Sequence, residues 1–141
     1  MDYLKGLVRK SKRAVELKKC LEKRGSTVHL EQMVGGAYSL YAADTVEHIG
    51  GIHIFLSEDR DRAAYRVNDL YELLDEEPVA FFSSGYKRSV AYGAEDAQGI
   101  VRRTATLNAV SGFKEGYLAM CTYPEALAES VTERVDLEGQ S

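Results

Sequence analysis

The sequence predicts an α/β domain, a mostly parallel sheet with helices on both faces in three layers, and three observations lead there. Short apolar or β-branched runs at Thr27 to Leu30, Ile52 to Leu56, Val79 to Phe82 and Tyr117 to Cys121 read as strands. The stretches between them carry apolar residues at helical spacing, and strands alternating with such helices imply right-handed crossovers and parallel pairing. A chain of 141 residues suits a single core.

Taken in order, Leu4, Leu7, Val8, Ala14, Leu17 and Leu21 share one helical face. The spacing predicts one helix ending near residue 24, where Lys23 and Arg24 answer exposed carbonyls and Gly25 tolerates a positive φ. The strand Thr27 to Leu30 leads to a turn at Val34, Gly35 and Gly36, and Ala37 to His48 reads as helix. Gly50 and Gly51 then open Ile52 to Leu56, a buried strand by composition. Ser57 or Asp59 is placed to cap the clearest helix, Asp59 to Leu74, with Ala63, Ala64, Val67, Leu70, Tyr71 and Leu74 on one face. Asp75, Glu76, Glu77 and Pro78 close it.

The strand Val79 to Phe82 runs into a polar loop, Ser83 to Arg88. After Asp96 a helix is expected through Ile100, Thr104 and Leu107 to about Ser111 and Gly112, followed by the strand Tyr117 to Cys121. Thr122, Pro124 and Glu125 mark the start of a short helix reaching about Val131. The chain thus divides into a basic helical segment 1–25, an α/β domain 26–131 and a polar tail 132–141.

With 45 % apolar and 28 % charged residues the chain belongs to the folded, water-soluble class. It holds no run of roughly 20 apolar residues and no secretory leader, so a cytoplasmic protein without a membrane partner is expected. Cys20 and Cys121 lack neighbours at metal-ligand spacing and read as reduced thiols. The net charge of -4 hides an asymmetry: residues 1–25 hold nine Lys or Arg against three Asp or Glu. Such a leader attracts nucleic acid or an acidic surface, and a solvated helix face produces the same pattern.

The first strand-turn-helix unit is where a phosphate loop, G-x-x-x-x-G-K-[ST], would sit. The matching window is Gln32, Met33, Val34, Gly35, Gly36, Ala37, Tyr38, Ser39, in which only the last hydroxyl is kept. Gln32 and Ala37 stand at the glycine positions and the uncharged Tyr38 at the lysine, so no bound nucleotide and no cofactor are expected. Gly35 and Gly36 serve equally as plain turn residues.

Ile52 to Leu56 followed by Ser57, Glu58 and Asp59 has the outline of a magnesium-holding strand end, but helix capping accounts for the acids. Ser84, Lys87 and Arg88 lie in a loop at a strand's carboxyl end, where they are candidates for an anion or partner contact as well as for ordinary solvated loop residues. Arg103 sits beside the apolar stripe of its helix and needs a carboxylate partner. His29, His48 and His53 do not cluster, so neither metal ligands nor catalytic residues are expected, and His29 and His53 read as packed within strands.

Several segments carry a resemblance: Val28-His29-Leu30-Glu31-Gln32-Met33-Val34-Gly35-Gly36-Ala37, Ala63 to Leu70, Ser84 to Ser89, Glu95 to Arg103 and Tyr117 to Ala128. Together they resemble the opening of bacterial transcription-repair coupling factors across nearly the whole chain. Tyr86-Lys87-Arg88-Ser89 and Thr122-Tyr123-Pro124-Glu125-Ala126-Leu127 are similar to the Bacteroidetes-type versions. The resemblance implies a truncated, degenerate P-loop domain like the first domain of the excision-repair protein UvrB. It implies a non-catalytic scaffold whose parent protein translocates on DNA with ATP, displaces stalled RNA polymerase and recruits UvrA, with residues 132–141 leading towards a UvrA-binding domain. The alternative from the residues alone is a stand-alone nucleotide- or anion-binding domain using Gly35, Gly36 and Lys87.

Overall fold

The computed structural model describes residues 2–31, 33, 36–74, 78–85 and 97–129. In chain order the elements are α1 (Asp2–Lys10), α2 (Lys12–Leu21), α3 (Ala37–Ile49), β1 (Gly51–Leu56), α4 (Arg60–Leu73), β2 (Val79–Phe81), α5 (Ala97–Ser111), β3 (Tyr117–Thr122) and α6 (Pro124–Ala128). The expected closing acids Asp75, Glu76 and Glu77 and the tail 132–141 lie outside the described residues.

The three described strands form one parallel sheet in the order β1-β3-β2. The odd-numbered side of the sheet, with Phe55, Val79, Ala119 and Cys121, packs against Ala42, Ala43 and Val46 of α3 and Val67, Leu70 and Leu73 of α4. On the other side Met120 and Phe82 meet Leu107 and Val110 of α5 and Ala126 of α6. Helices therefore cover both faces, as the alternating pattern requires. Full burial of a side chain such as Leu70 contributes about 1.5–3 kcal/mol.

The N-terminal helix is two helices, contrary to the single one expected. Ser11 breaks it: at ψ 144 its backbone is extended, its hydroxyl donates to Val8 O at 2.8 Å, and its Oγ accepts from Ala14 N at 3.2 Å. A serine that satisfies backbone groups on both sides competes with the helical ladder and starts a new helix. Gly25 does adopt the left-handed region, φ 78.

Thr27 to Leu30 is not a strand. The segment has no regular secondary structure and pairs with no described strand, and His29 is exposed beside Glu31 at 3.6 Å rather than packed. The short β-branched run had local propensity without a ladder partner. β1 departs in another way: it stands at the sheet edge, so Ile52, Ile54 and Leu56 are 42, 59 and 59 % exposed and only one face of the strand is buried. Gly50 and Gly51 open it at φ 70 and 82, and a Cβ on Gly50 would lie 3.1 Å from Gly116 O, so the sharp turn into β1 needs glycine there.

In α5 the buried positions are Gly99, Arg103 and Thr106, while Ile100 and Thr104 are exposed. The inward face is turned about one residue from the expected one because the guanidinium of Arg103, not an aliphatic residue, anchors it. The remaining capping expectations hold in part: Asp59 caps α4 by accepting from Arg62 N at 2.9 Å, and Pro124 opens α6. Thr122 does not cap α6; its hydroxyl donates to Phe82 O at 2.9 Å and fastens β3 to the segment after β2.

The basic leader packs on α3. Lys5 bonds Glu47 and, at 2.7 Å, Leu73 O; Arg9 reaches Asp44 at 3.2 Å and Glu47 at 3.0 Å. Lys18 Nζ lies 2.7 Å from Asp44 Oδ2, off the direction of a hydrogen bond, so that contact is coulombic. Asp44 is 1 % exposed, which leaves these cations to compensate its buried charge.

Candidate functional site

In an open parallel sheet ligands gather at the carboxyl ends of the strands, and the starts of α3 and α4 both lie there. Gly36 is the N-cap of α3 and makes no side-chain cap; its φ of -74 is ordinary, and a Cβ added to it would meet open space. Neither a left-handed backbone nor a close approach within the chain requires glycine at this position. Ala37 begins the helix. Gln32 and Gly35, the other positions expected to form a degenerate loop, fall outside the described residues.

Tyr38 and Ser39 are held from within the protein. The Tyr38 ring meets Phe55 edge-on at 6.5 Å, and the Arg66 guanidinium lies over it, 3.9 Å from the centroid. Arg66 Nη1 also donates to Ser39 Oγ at 2.8 Å, while Ser39 Oγ donates to Asp69 Oδ2 at 3.0 Å. Ser39 is 1 % exposed. The hydroxyl's proton is thus committed to a carboxylate and one of its lone pairs to a guanidinium. A positive charge does stand near the expected lysine seat, but it comes from α4, not from the loop.

Beside this corner a cleft of about 510 Å3 is lined by Tyr38, Leu56, Ser57, Glu58, Arg62, Tyr65 and Arg66. Arg62 is already opposed by Glu58 at 3.6 Å, one helical turn before it. The arginine positions were missed by sequence reading, although Arg62, Arg66 and Asp69 recur at spacings of four and three beside the apolar face of Ala63, Val67 and Leu70. Burial pushes the Cys121 thiol up from its ordinary value to about 12, with Arg66 pulling weakly the other way, so it is not a nucleophile at neutral pH.

The second candidate region follows β2. Ser84, an expected anion contact, is engaged: its hydroxyl bonds Glu129, and its N–H donates to Tyr123 Oη at 2.8 Å. Glu129 also accepts from Gly85 N at 3.0 Å and sits 3.5 Å from Arg103 Nε. Arg103 Nη1 donates to Ser83 O at 3.1 Å and Ala126 O at 2.7 Å, with its guanidinium 4.1 Å from the Phe82 ring centroid. The carboxylate that Arg103 needed is therefore Glu129, which sequence spacing had no means to single out. Lys87 and Arg88 lie outside the described residues.

His53 is hydrogen-bonded through Nε2 to Gly50 O at 2.7 Å, and His48 faces Glu22 at 3.3 Å. Among the described residues no helix is long and apolar enough to cross a membrane, and no three His, Cys, Asp or Glu gather as a metal site. No protein-family model, curated protein or solved structure matches the chain.

Proposed function

We propose that the chain is a non-catalytic α/β scaffold module of the transcription-repair coupling type, with a degenerate P-loop that holds no nucleotide. The observation that carries the non-catalytic half is the occupation of Ser39: the hydroxyl that would serve a magnesium ion is buried and divided between Asp69 and Arg66. The family half rests on the sequence segments quoted above. In this reading the ATP-driven motor, DNA, RNA polymerase and UvrA all act through the parent protein, and this module supplies contacts to its other domains.

One observation favours a second reading, an anion-binding domain: the cleft beside Tyr38 presents Arg62 and Arg66 at the carboxyl end of β1. A melting experiment with and without magnesium ATP separates the two. The scaffold reading expects no change, whereas a binder saturated at 100-fold over its Kd gains about 2.7 kcal/mol. A rise of several degrees with ATP ends the scaffold reading. The family half is tested by the gene's reading frame, which on this proposal continues into helicase motifs.

A further inference from the structure

The outer edge of β2 forms the floor of a groove of about 450 Å3, with α4 as one wall and α5 as the other. Ala119 N donates to Pro78 O at 2.8 Å and Phe82 N to Cys121 O at 2.9 Å, so residues 78 and 82 face β3. In a parallel ladder both backbone groups of one residue point the same way and alternate along the strand. Val79 and Phe81 therefore aim N–H and C=O away from β3, towards the groove. Thr106 only partly covers this row, its hydroxyl lying 3.4 Å from Phe81 O but bonding Arg102 O more closely at 2.9 Å.

Small residues stand in both walls, Ala64 on α4 beside the larger Asn68 and Tyr71, and Ala105 and Ala109 on α5. The charged residues of the lining are Arg60 and Arg102, one on each wall. Both belong to the same end, because α4 begins at Arg60 just after the carboxyl end of β1 and α5 descends from the carboxyl side of β2. Arg102 leans inward, 5.6 Å from the Phe81 ring centroid.

We infer that this groove accepts an extended peptide segment as a fourth strand alongside β2, with acidic side chains of the guest seated between Arg60 and Arg102. Main-chain bonds to Val79 and Phe81 give the affinity, the alanines admit the guest backbone, and the paired guanidinium groups select the charge. The inference goes beyond the scaffold reading and does not depend on its family half.

The test is fluorescence anisotropy of a labelled TVTVEE peptide with the 141-residue chain, against a TVTVKK control. Binding in the range of about 10–100 µM is expected for so small a contact. The lysine peptide, a combined Arg60→Glu and Arg102→Glu variant, and Ala105→Trp should each weaken binding at least tenfold, with folding verified by circular dichroism and melting. Ala105 is exposed, so its replacement fills the groove without entering the core. Equal affinity for both peptides, no effect of either variant, or no binding at 1 mM overturns the inference. A dimer that Ala105→Trp dissociates in sedimentation equilibrium also overturns it, since the groove would then belong to a second copy.

Discussion

Of the three arginines that lie over aromatic rings among the described residues, Arg66 and Arg103 behave differently. Arg66 covers Tyr38 and reaches one hydroxyl, beside an open cleft. Arg103 covers Phe82 but is enclosed: its Nη1 donates to two carbonyls, the Glu129 carboxylate lies 3.5 Å from its Nε, its buried Nη2 has no hydrogen-bond partner among the described residues, and the residue is 7 % exposed. Stacking on a ring is common to both, so stacking does not decide what a guanidinium does. Enclosure by acceptors makes Arg103 a brace between β2, α5 and the end of α6, whereas Arg66 closes a corner that a ligand would otherwise enter.

The comparison breaks most readily at Arg103. Arg103→Met leaves Glu129 without its cation and the Ser83 and Ala126 carbonyls without a donor, and should cost about 3–5 kcal/mol in urea unfolding, or roughly 10 °C in Tm. A loss below about 1 kcal/mol would show that the enclosure contributes little. Lys18→Met, which removes one of the two cations on buried Asp44, should cost about 2–3 kcal/mol by the same measurement. Arg66→Met should cost only about 1 kcal/mol, since the ring contact and one hydroxyl bond are lost at a partly solvated site. The same variant should leave the response to magnesium ATP unchanged; a new ATP-dependent rise in Tm would mean that Arg66 alone excludes the nucleotide.

The smallest effects concern Cys121. Free Cys20 is exposed and Cys121 buried, so Ellman's reagent should titrate one thiol in the native protein and both in guanidinium. Two rapid native thiols would show that the sheet opens easily. The folded state keeps the Cys121 proton up to about 12, while the unfolded thiol releases it near 9. Stability from this group is therefore complete below about pH 9 and is lost as the pH rises towards 12. Cys121→Ala should flatten that alkaline limb of the Tm profile, and an unchanged limb would assign it to other groups.

Much of the architecture was legible because periodicity and capping are local. The regular pattern of Ala63, Val67 and Leu70 with Asp59 before it defines α4, and Pro124 marks α6. Composition misled twice: Thr27 to Leu30 has strand residues but no partner among the described strands, and Ile52 to Leu56, correctly placed as a strand, looks buried yet lies at an edge. Neither pairing nor edge position is encoded in a short apolar run. At the candidate site, Tyr38 and Ser39 were singled out by comparison with a phosphate-loop spacing, while Arg66, Asp69 and Glu129 were not, since each meets its partner across at least 26 residues of chain.

By itself the sequence determined most of the helical segments, though not the break at Ser11, and that parallel strands alternate with them. Tertiary structure alone decided the order β1-β3-β2, the anchoring of the basic leader on Asp44 and Glu47, and the closing of the Tyr38 corner by an arginine from α4. Local patterns follow from backbone geometry repeated every few residues. A charge's partner is chosen only when distant segments are packed together and desolvation demands that it be answered.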